Sequence, residues 1–194
     1  MTARSILILL CLLALAGAAS AQTTDAGFWE LSASPAANAR TMHNSIRRNL
    51  SEAASAMSAE DYAFKPTTGV RSFGEVIGHL INANYLMCAQ ATGETSPGTQ
   101  NYEQVTDRAA LIKALNDSLA FCDARCTATT DANFSQPAKV TGPGGRTADT
   151  TRGQVLMFNT THNNEHYGNV VVYMRLRGKI PPSTARAEQG RPRE

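Results

Sequence analysis

Two histidines, His162 and His166, lie four residues apart within the run T-T-H-N-N-E-H-Y-G-N at 160–169. An α-helix places residues i and i+4 on one face, so the two imidazoles can converge on one metal ion. A stable site needs a third ligand, and His79 is the histidine that a second helix would supply. The pattern predicts a divalent metal ion held by His79, His162 and His166. Spacing alone leaves open that they are hydrogen-bonded core histidines, because H-x-x-x-H pairs also arise by chance.

Neighbouring residues suggest additional chemistry. The same run has the H-x-x-E-H form of inverted-zincin proteases, in which Glu165 would serve as general base. Those proteases need a further acidic ligand downstream, and the only acidic residues after His166 lie in the polar C-terminal tail. The protease hypothesis therefore lacks its structural context. Glu165 and Tyr173 remain candidates for assisting proton transfer at a metal site.

Two other residues have both a functional and a structural interpretation. His43 shares a helical stripe with Ile46 and Leu50, so it is either a fourth ligand or an ordinary core histidine. Glu75 precedes His79 by one helical turn and could orient its ring as a hydrogen-bond acceptor. A role of Glu75 in capping the helix explains its presence equally well.

Four helical segments must position these side chains. Apolar residues recur at helical spacing over about 35–57, 72–91, 107–129 and 151–177, which predicts an all-α fold, a four-helix bundle. The second segment opens with an S-x-x-E capping box at Ser72 and Glu75. The fourth ends at Gly178 before two prolines, a typical helix stop.

The fourth segment carries both histidines on one predicted stripe with Val155, Phe158, Tyr173 and Leu176, which places the imidazoles toward the bundle interior. The stretch 131–150 is rich in Gly, Pro and Thr and shows no regular period. We expect an irregular loop there, either a lid over a site or a slack connection.

The N-terminus indicates export. A short basic start, an apolar run over 6–16 and an A-x-A-type ending at 19–21 predict a cleavable signal peptide, residues 1–21. The predicted domain organisation is then a bundle over 22–183 and a polar, disordered tail over 184–194. We expect an extracytoplasmic protein, periplasmic or secreted.

The charge and the cysteine content limit the classes of binding partner and the disulfides that the sequence predicts. Lys and Arg total 18 against 16 Asp and Glu, a net charge of +2 that gives no case for nucleic acid. No segment after the predicted signal peptide has the apolar or basic character that would indicate contact with a membrane. Cys88, Cys122 and Cys126 remain after cleavage, and in an oxidising compartment a Cys88–Cys122 disulfide between two helices is favoured, with one thiol left over. A small-molecule partner and a homodimer are both compatible with such a bundle.

Three runs of the sequence resemble the DinB-like family. They are S-F-G-E-V-I-G-H-L at 72–80, H-N-N-E-H-Y-G at 162–168 and Y-M-R-L-R-G-K-I-P-P at 173–182. The resemblance covers roughly 35–183 and implies a four-helix bundle with a divalent metal, zinc or nickel, on His79, His162 and His166.

The resemblance does not fix a reaction. Relatives with known chemistry are thiol-dependent transferases and isomerases, whose thiol substrates are maintained in the reducing cytoplasm, whereas this chain carries an export signal. The sequence therefore predicts an exported metal-binding DinB-like protein, with hydrolase or transferase activity on an unknown substrate. The alternative is a non-catalytic metal-binding or structural bundle.

Overall fold

The computed structural model describes residues 32–190. The predicted signal peptide, 1–21, and residues 191–194 of the predicted tail lie outside them. The elements in chain order are α1 (Pro35–Ala56), α2 (Ala59–Ala63), α3 (Phe73–Thr92), a 3-10 turn (Tyr102–Gln104), α4 (Arg108–Ala128), α5 (Asp131–Phe134), β1 (Pro137–Thr141), a second 3-10 turn (Pro143–Gly145), β2 (Thr147–Thr151), α6 (Arg152–Leu176) and α7 (Pro182–Gln189).

The four long helices, α1, α3, α4 and α6, form the predicted bundle. Helix α3 packs against α4 and α6, and α1 packs against the same two helices, so α1 and α3 lie at opposite corners. The core between them consists of fully buried apolar side chains from all four helices, among them Ile46, Leu50, Phe73, Ile77, Leu80, Ile81, Leu111, Leu115, Leu119, Val170 and Met174.

Local sequence signals account for where the helices begin. Ser72 accepts a hydrogen bond from the Glu75 amide at 3.1 Å, and its own amide donates to the Glu75 carboxylate at 2.6 Å, which is the predicted capping box. Asp107 caps α4 and Thr151 caps α6 in the same side-chain manner. The caps at Ser72 and Thr151 fix where α3 and α6, the helices that carry the three predicted ligands, begin.

A disulfide joins Cys88 of α3 to Cys122 of α4, which confirms the favoured pairing, and Cys126 is a buried free thiol. The two bonded cysteines belong to a second apolar cluster with Val155 and Leu156 of α6. This cluster lies beside the main core, and the hairpin packs against it.

The stretch 131–150 is not an irregular loop, and this prediction is wrong. It contains the short helix α5 and an antiparallel hairpin in which Pro137 pairs with Thr151 and Thr141 pairs with Thr147. Ala138 and Val140 of β1 point inward onto the second apolar cluster. The turn requires Gly144 and Gly145, whose φ angles of 73° and 75° are readily adopted only by glycine.

The predicted disordered tail is wrong for residues 184–189, which are helical in α7. Pro182 starts the helix, and the Ser183 amide donates to the Tyr167 hydroxyl at 3.1 Å. Arg186 pairs with Glu52 of α1 at 2.5 Å, so the polar tail is held by ion pairing instead of apolar burial. Within residues 32–190, no helix has both the length and the apolar character needed to cross a bilayer.

Candidate metal centre

The three predicted ligands meet between α3 and α6. His79 lies on α3, His162 and His166 lie on α6, and one ring nitrogen from each falls within 4.8 Å of the others. The closest pair is His79 Nε2 and His162 Nε2, at 3.2 Å. The ring of His166 stands nearly perpendicular to each of the other two, with ring centroids 4.5 Å and 4.7 Å away.

The orientation of His79 is set by a residue that the sequence patterns did not reveal. Glu103, in the first 3-10 turn, accepts a hydrogen bond from His79 Nδ1 at 2.9 Å through one carboxylate oxygen. Its other oxygen is 2.9 Å from Nε of Arg71. Burial raises the pKa of Glu103, but hydrogen bonds from Arg71 and His79 outweigh burial and lower it. The ionised carboxylate keeps the proton of His79 on Nδ1, so Nε2 presents its lone pair to the other two rings.

Glu103 can reach His79 because α3 and the 3-10 turn touch at a glycine. A Cβ on Gly78 would lie 2.3 Å from the backbone oxygen of Tyr102, a distance that backbone cannot accommodate. The turn is held in place by Asn82, whose side-chain oxygen accepts from the Tyr102 amide at 3.1 Å. The glycine next to His79 therefore permits the close approach that positions Glu103.

The electrostatics of the site favour the neutral form of the two rings on α6. Burial, followed by the neighbouring His166 and His79, lowers the pKa of His162 to about 4. Burial and the charge of His79 also lower the pKa of His166. Neutral imidazoles are the form that binds metal ions, so near neutral pH these two rings are ready to act as ligands.

This donor set fits a divalent metal ion. Two imidazole nitrogens bound tetrahedrally at about 2.0–2.1 Å from zinc are separated by roughly 3.3 Å, close to the 3.2 Å between the Nε2 atoms of His79 and His162. Imidazole suits zinc and nickel among the common metals.

Other predicted contributors have different places. Glu75 does not orient His79, because its carboxylate caps α3 and pairs with Lys65 at 2.9 Å. His43 is fully buried on α1, outside the three-histidine group, and within the described residues neither ring nitrogen has a hydrogen-bond partner. A carboxylate oxygen of Asp123 lies 3.9 Å from Nε2 of His43, and burial lowers the pKa of His43 to about 4.

The two residues considered for proton transfer do not bond to the histidines. The Tyr173 hydroxyl donates to the backbone oxygen of Arg71 at 2.5 Å, so its proton holds the segment that leads to Ser72. Glu165 is exposed, and within residues 32–190 no hydrogen bond joins it to the three rings. Glu103 is the carboxylate in direct contact with the site.

The predicted inward stripe of α6 is correct only in part. Val155 and Tyr173 are buried, as expected, but Phe158 is 55% exposed and Leu176 58% exposed. The two histidines of α6 are half-buried. The site therefore lies at the edge of the bundle, where a molecule from solvent can reach it.

Comparisons with known proteins agree with this architecture. The family model of the DinB superfamily, DinB_2, matches residues 43–170. Among solved structures, a DinB-like protein from Bacillus cereus ATCC 10987 matches with a TM-score of 0.60 and 17% sequence identity, covering 71% of this chain and 89% of that chain. At that identity the likeness concerns the fold. Curated protein sequences give no significant match. The chain belongs to the DinB superfamily, whose members generally bind a metal ion.

Proposed function

We propose that this protein binds one divalent metal ion, zinc or nickel, through His79, His162 and His166, and uses it in hydrolase or transferase chemistry on a small molecule. The observation that carries the proposal is the convergence of three imidazole nitrogens within 4.8 Å at a partly exposed position. A divalent ion held there supplies Lewis acidity to a bound substrate or to water.

The residues of the chain have distinct parts in this proposal. His162 and His166 offer neutral rings, and Glu103 holds the proton of His79 on Nδ1 so that Nε2 is free to bind. Arg71 pairs with Glu103 and keeps its carboxylate turned toward His79. Three protein ligands leave a position for substrate, which is the ligand count of catalytic zinc sites.

The group of close ligands supports catalysis over a purely structural role. Within residues 32–190 it comprises three histidines, and His43, the fourth histidine of the chain, is not among them. A structural zinc site normally has four protein ligands. The non-catalytic alternative remains the outcome to be tested.

The first experiment measures metal content. The full chain, purified without a histidine tag and without added metal, should contain about one zinc or nickel ion per chain by mass spectrometry. Substituting His162→Ala and His166→Ala together should remove it, whereas His43→Gln should retain it. Absence of metal from the unaltered protein, even after incubation with excess zinc and nickel, would overturn the proposal.

A second experiment separates catalysis from structural binding. The protein is loaded with Co²⁺, whose visible absorption reports its ligands, and acetohydroxamate is added. A changed spectrum would indicate a coordination position open to small molecules, and screening of hydrolase and transferase substrates follows. An unchanged spectrum, with cobalt bound, would favour the non-catalytic bundle.

We also propose that the protein acts outside the cytoplasm. The leader-like pattern at 1–21 and the disulfide between Cys88 and Cys122 support this location. Mass spectrometry of the protein recovered from outside the cytoplasm should find an N-terminus near Gln22. Recovery only from the cytoplasm, with residues 1–21 intact, would contradict it.

A further inference from the structure

A cavity of about 510 Å³ lies beside the three-histidine site. Its walls come from α3, from α6 and from the hairpin, and His79 and His162 form part of its lining. The apolar part of the wall includes Ala83, Leu86, Met87, Val140, Val155 and Phe158. A volume of this size is typical of pockets that bind small organic molecules.

The lining carries no formal charge. Within residues 32–190, no Asp, Glu, Lys or Arg side chain lines the cavity. A charged group placed there would lose its hydration without gaining an ion-pair partner, which is costly. The electrostatics therefore favour a ligand whose body is uncharged.

Two amide side chains in the wall, those of Asn82 and Gln90, are engaged with the protein. The Asn82 side chain donates to Asn101 at 2.8 Å and accepts from the Tyr102 amide at 3.1 Å. Gln90 donates to the backbone oxygen of Thr141 at 3.1 Å and so ties the hairpin to α3. These two amides therefore build the wall. Thr141, Thr150 and Gln154 also line the cavity, and His79 and His162 bring ring nitrogens of the three-histidine site to it.

Two large apolar side chains of the lining reach solvent. Leu86 of α3 is 45% exposed and Phe158 of α6 is 55% exposed, and both line the cavity. A bound apolar molecule would remove their surface from water, which is favourable in proportion to the area covered. The opening of the cavity is thus apolar as well as its interior.

We propose that this cavity binds an uncharged small molecule with an apolar aliphatic or aromatic body, whose single polar end reaches the three histidines. The inference that the ligand has an apolar body depends only on the cavity. The inference that its polar end reaches the histidines rests on the proposed function. The chain thereby selects its substrate by apolar surface, and molecules carrying additional carboxylates or phosphates are excluded.

The body is tested with N-phenyl-1-naphthylamine, a neutral dye that fluoresces in apolar surroundings. The full chain should bind it, and Leu86→Asn and Phe158→Asn should each weaken binding at least fivefold. The matched control is Val172→Asn, which changes an apolar residue of α6 that is 52% exposed and does not line the cavity. Circular dichroism confirms that all three variants are folded; equal dye binding in all of them and in the unaltered chain would overturn the proposal.

The polar end and the exclusion of charge are tested with three hydroxamates on the metal-loaded protein. Octanohydroxamate should displace the dye at a concentration at least tenfold lower than acetohydroxamate, which has the same head group without the chain. Suberic monohydroxamate, which has the same chain length and a terminal carboxylate, should bind at least tenfold more weakly than octanohydroxamate. Equal affinity of the two long compounds would overturn the selection for an uncharged body.

Metal analysis of the same samples separates this inference from the proposed function. Dye binding that depends on Leu86 and Phe158 in a protein unable to bind metal would support the apolar cavity and overturn the proposed function. A metal-loaded protein that fails to bind the dye and shows no preference for the octyl chain would overturn the cavity inference and leave the metal site intact.

Discussion

Replacing Glu103 by glutamine should weaken metal binding although the side chain keeps its shape. The two carboxylate oxygens of Glu103 each face a donor, Nδ1 of His79 and Nε of Arg71, both at 2.9 Å. An amide has one oxygen and one NH₂ group, so in either orientation it presents a donor to a donor. When the NH₂ group faces His79, the ring proton moves to Nε2, and that nitrogen can no longer bind a metal.

The size of the effect follows from the role of Glu103 as partner of a ligand. Loss of such a partner typically costs about 10–100-fold in metal affinity. We expect about tenfold for Glu103→Gln, or about 1.4 kcal/mol, because one of its orientations still accepts from His79. Glu103→Ala should approach 100-fold. Competition with a chromogenic chelator measures the dissociation constant.

Two further variants test the geometric reasoning. Glu75→Gln, which keeps a side chain able to complete the capping box of the same helix, should leave metal affinity unchanged and lower stability by less than about 1 kcal/mol. Arg71→Met should reduce the effect of Glu103→Gln, because the amide can then turn its oxygen to His79 without meeting a second donor. Metal affinity within twofold of the unaltered protein in Glu103→Gln, or an equal loss in Glu75→Gln, would refute this account of how His79 is oriented.

Three other predictions concern the framework of the site. Gly78→Ala should lower the free energy of unfolding by about 1–3 kcal/mol and weaken metal binding, because the added Cβ would displace the turn that carries Glu103. The control is Gly168→Ala, whose added Cβ has no atom within 4 Å. It should leave the stability measured by urea unfolding unchanged or raise it. Burial raises the pKa of Asp61, but hydrogen bonds from Arg177 and a backbone amide outweigh burial and lower it to about 2. Because a lowered pKa stabilises the folded state at pH values above the unfolded-state pKa, about 2 kcal/mol of stability should be lost as pH falls from about 5 toward 2. Asp61→Asn should flatten that pH dependence of the free energy of unfolding. Reduction of the disulfide, whose cysteines are 34 residues apart, should lower the free energy of unfolding in urea by about 3–4 kcal/mol. Unchanged stability would show that the loop closed by the disulfide is already restricted in the unfolded chain.

The bundle could be predicted from sequence because its signals are local. The capping box at Ser72, the glycine-and-proline stop after α6 and the apolar spacing of α1 and α4 each act within a few residues. The predicted bounds of the four long helices therefore agree with the structure to within a few residues. The three histidines could be assigned to one site because each lies on a predicted helix, and His162 and His166 share one face of theirs.

Other features depend on contacts between distant segments. Glu103 lies 24 residues from His79, in a stretch without helical period, and no pattern marks it as a partner. The hairpin did have a weak signal, since Ala138 and Val140 alternate with polar residues and three glycines follow within five positions. Its strands are short and polar on one face, so their stability comes from packing on α3 and α6, which the sequence does not display.

The buried face of α6 explains why its stripe was misassigned. Asn159 and Asn163 are almost fully buried there, and Asn163 donates to Asn84 of α3 at 3.0 Å. Helical periodicity treats polar residues such as these as facing solvent. It therefore predicted that the neighbouring apolar stripe, which contains Val155 and Phe158, faces the core.

That apolar line is real, but it borders the cavity. Val155, Phe158 and His162 follow one another at helical spacing, and all three line the cavity beside α3. Because Asn159 and Asn163 fill the core-facing positions, the line that carries the histidines is turned toward the cavity and remains accessible. The buried asparagines therefore set the rotation of α6, so that its apolar side chains and the ring of His162 face the same cavity.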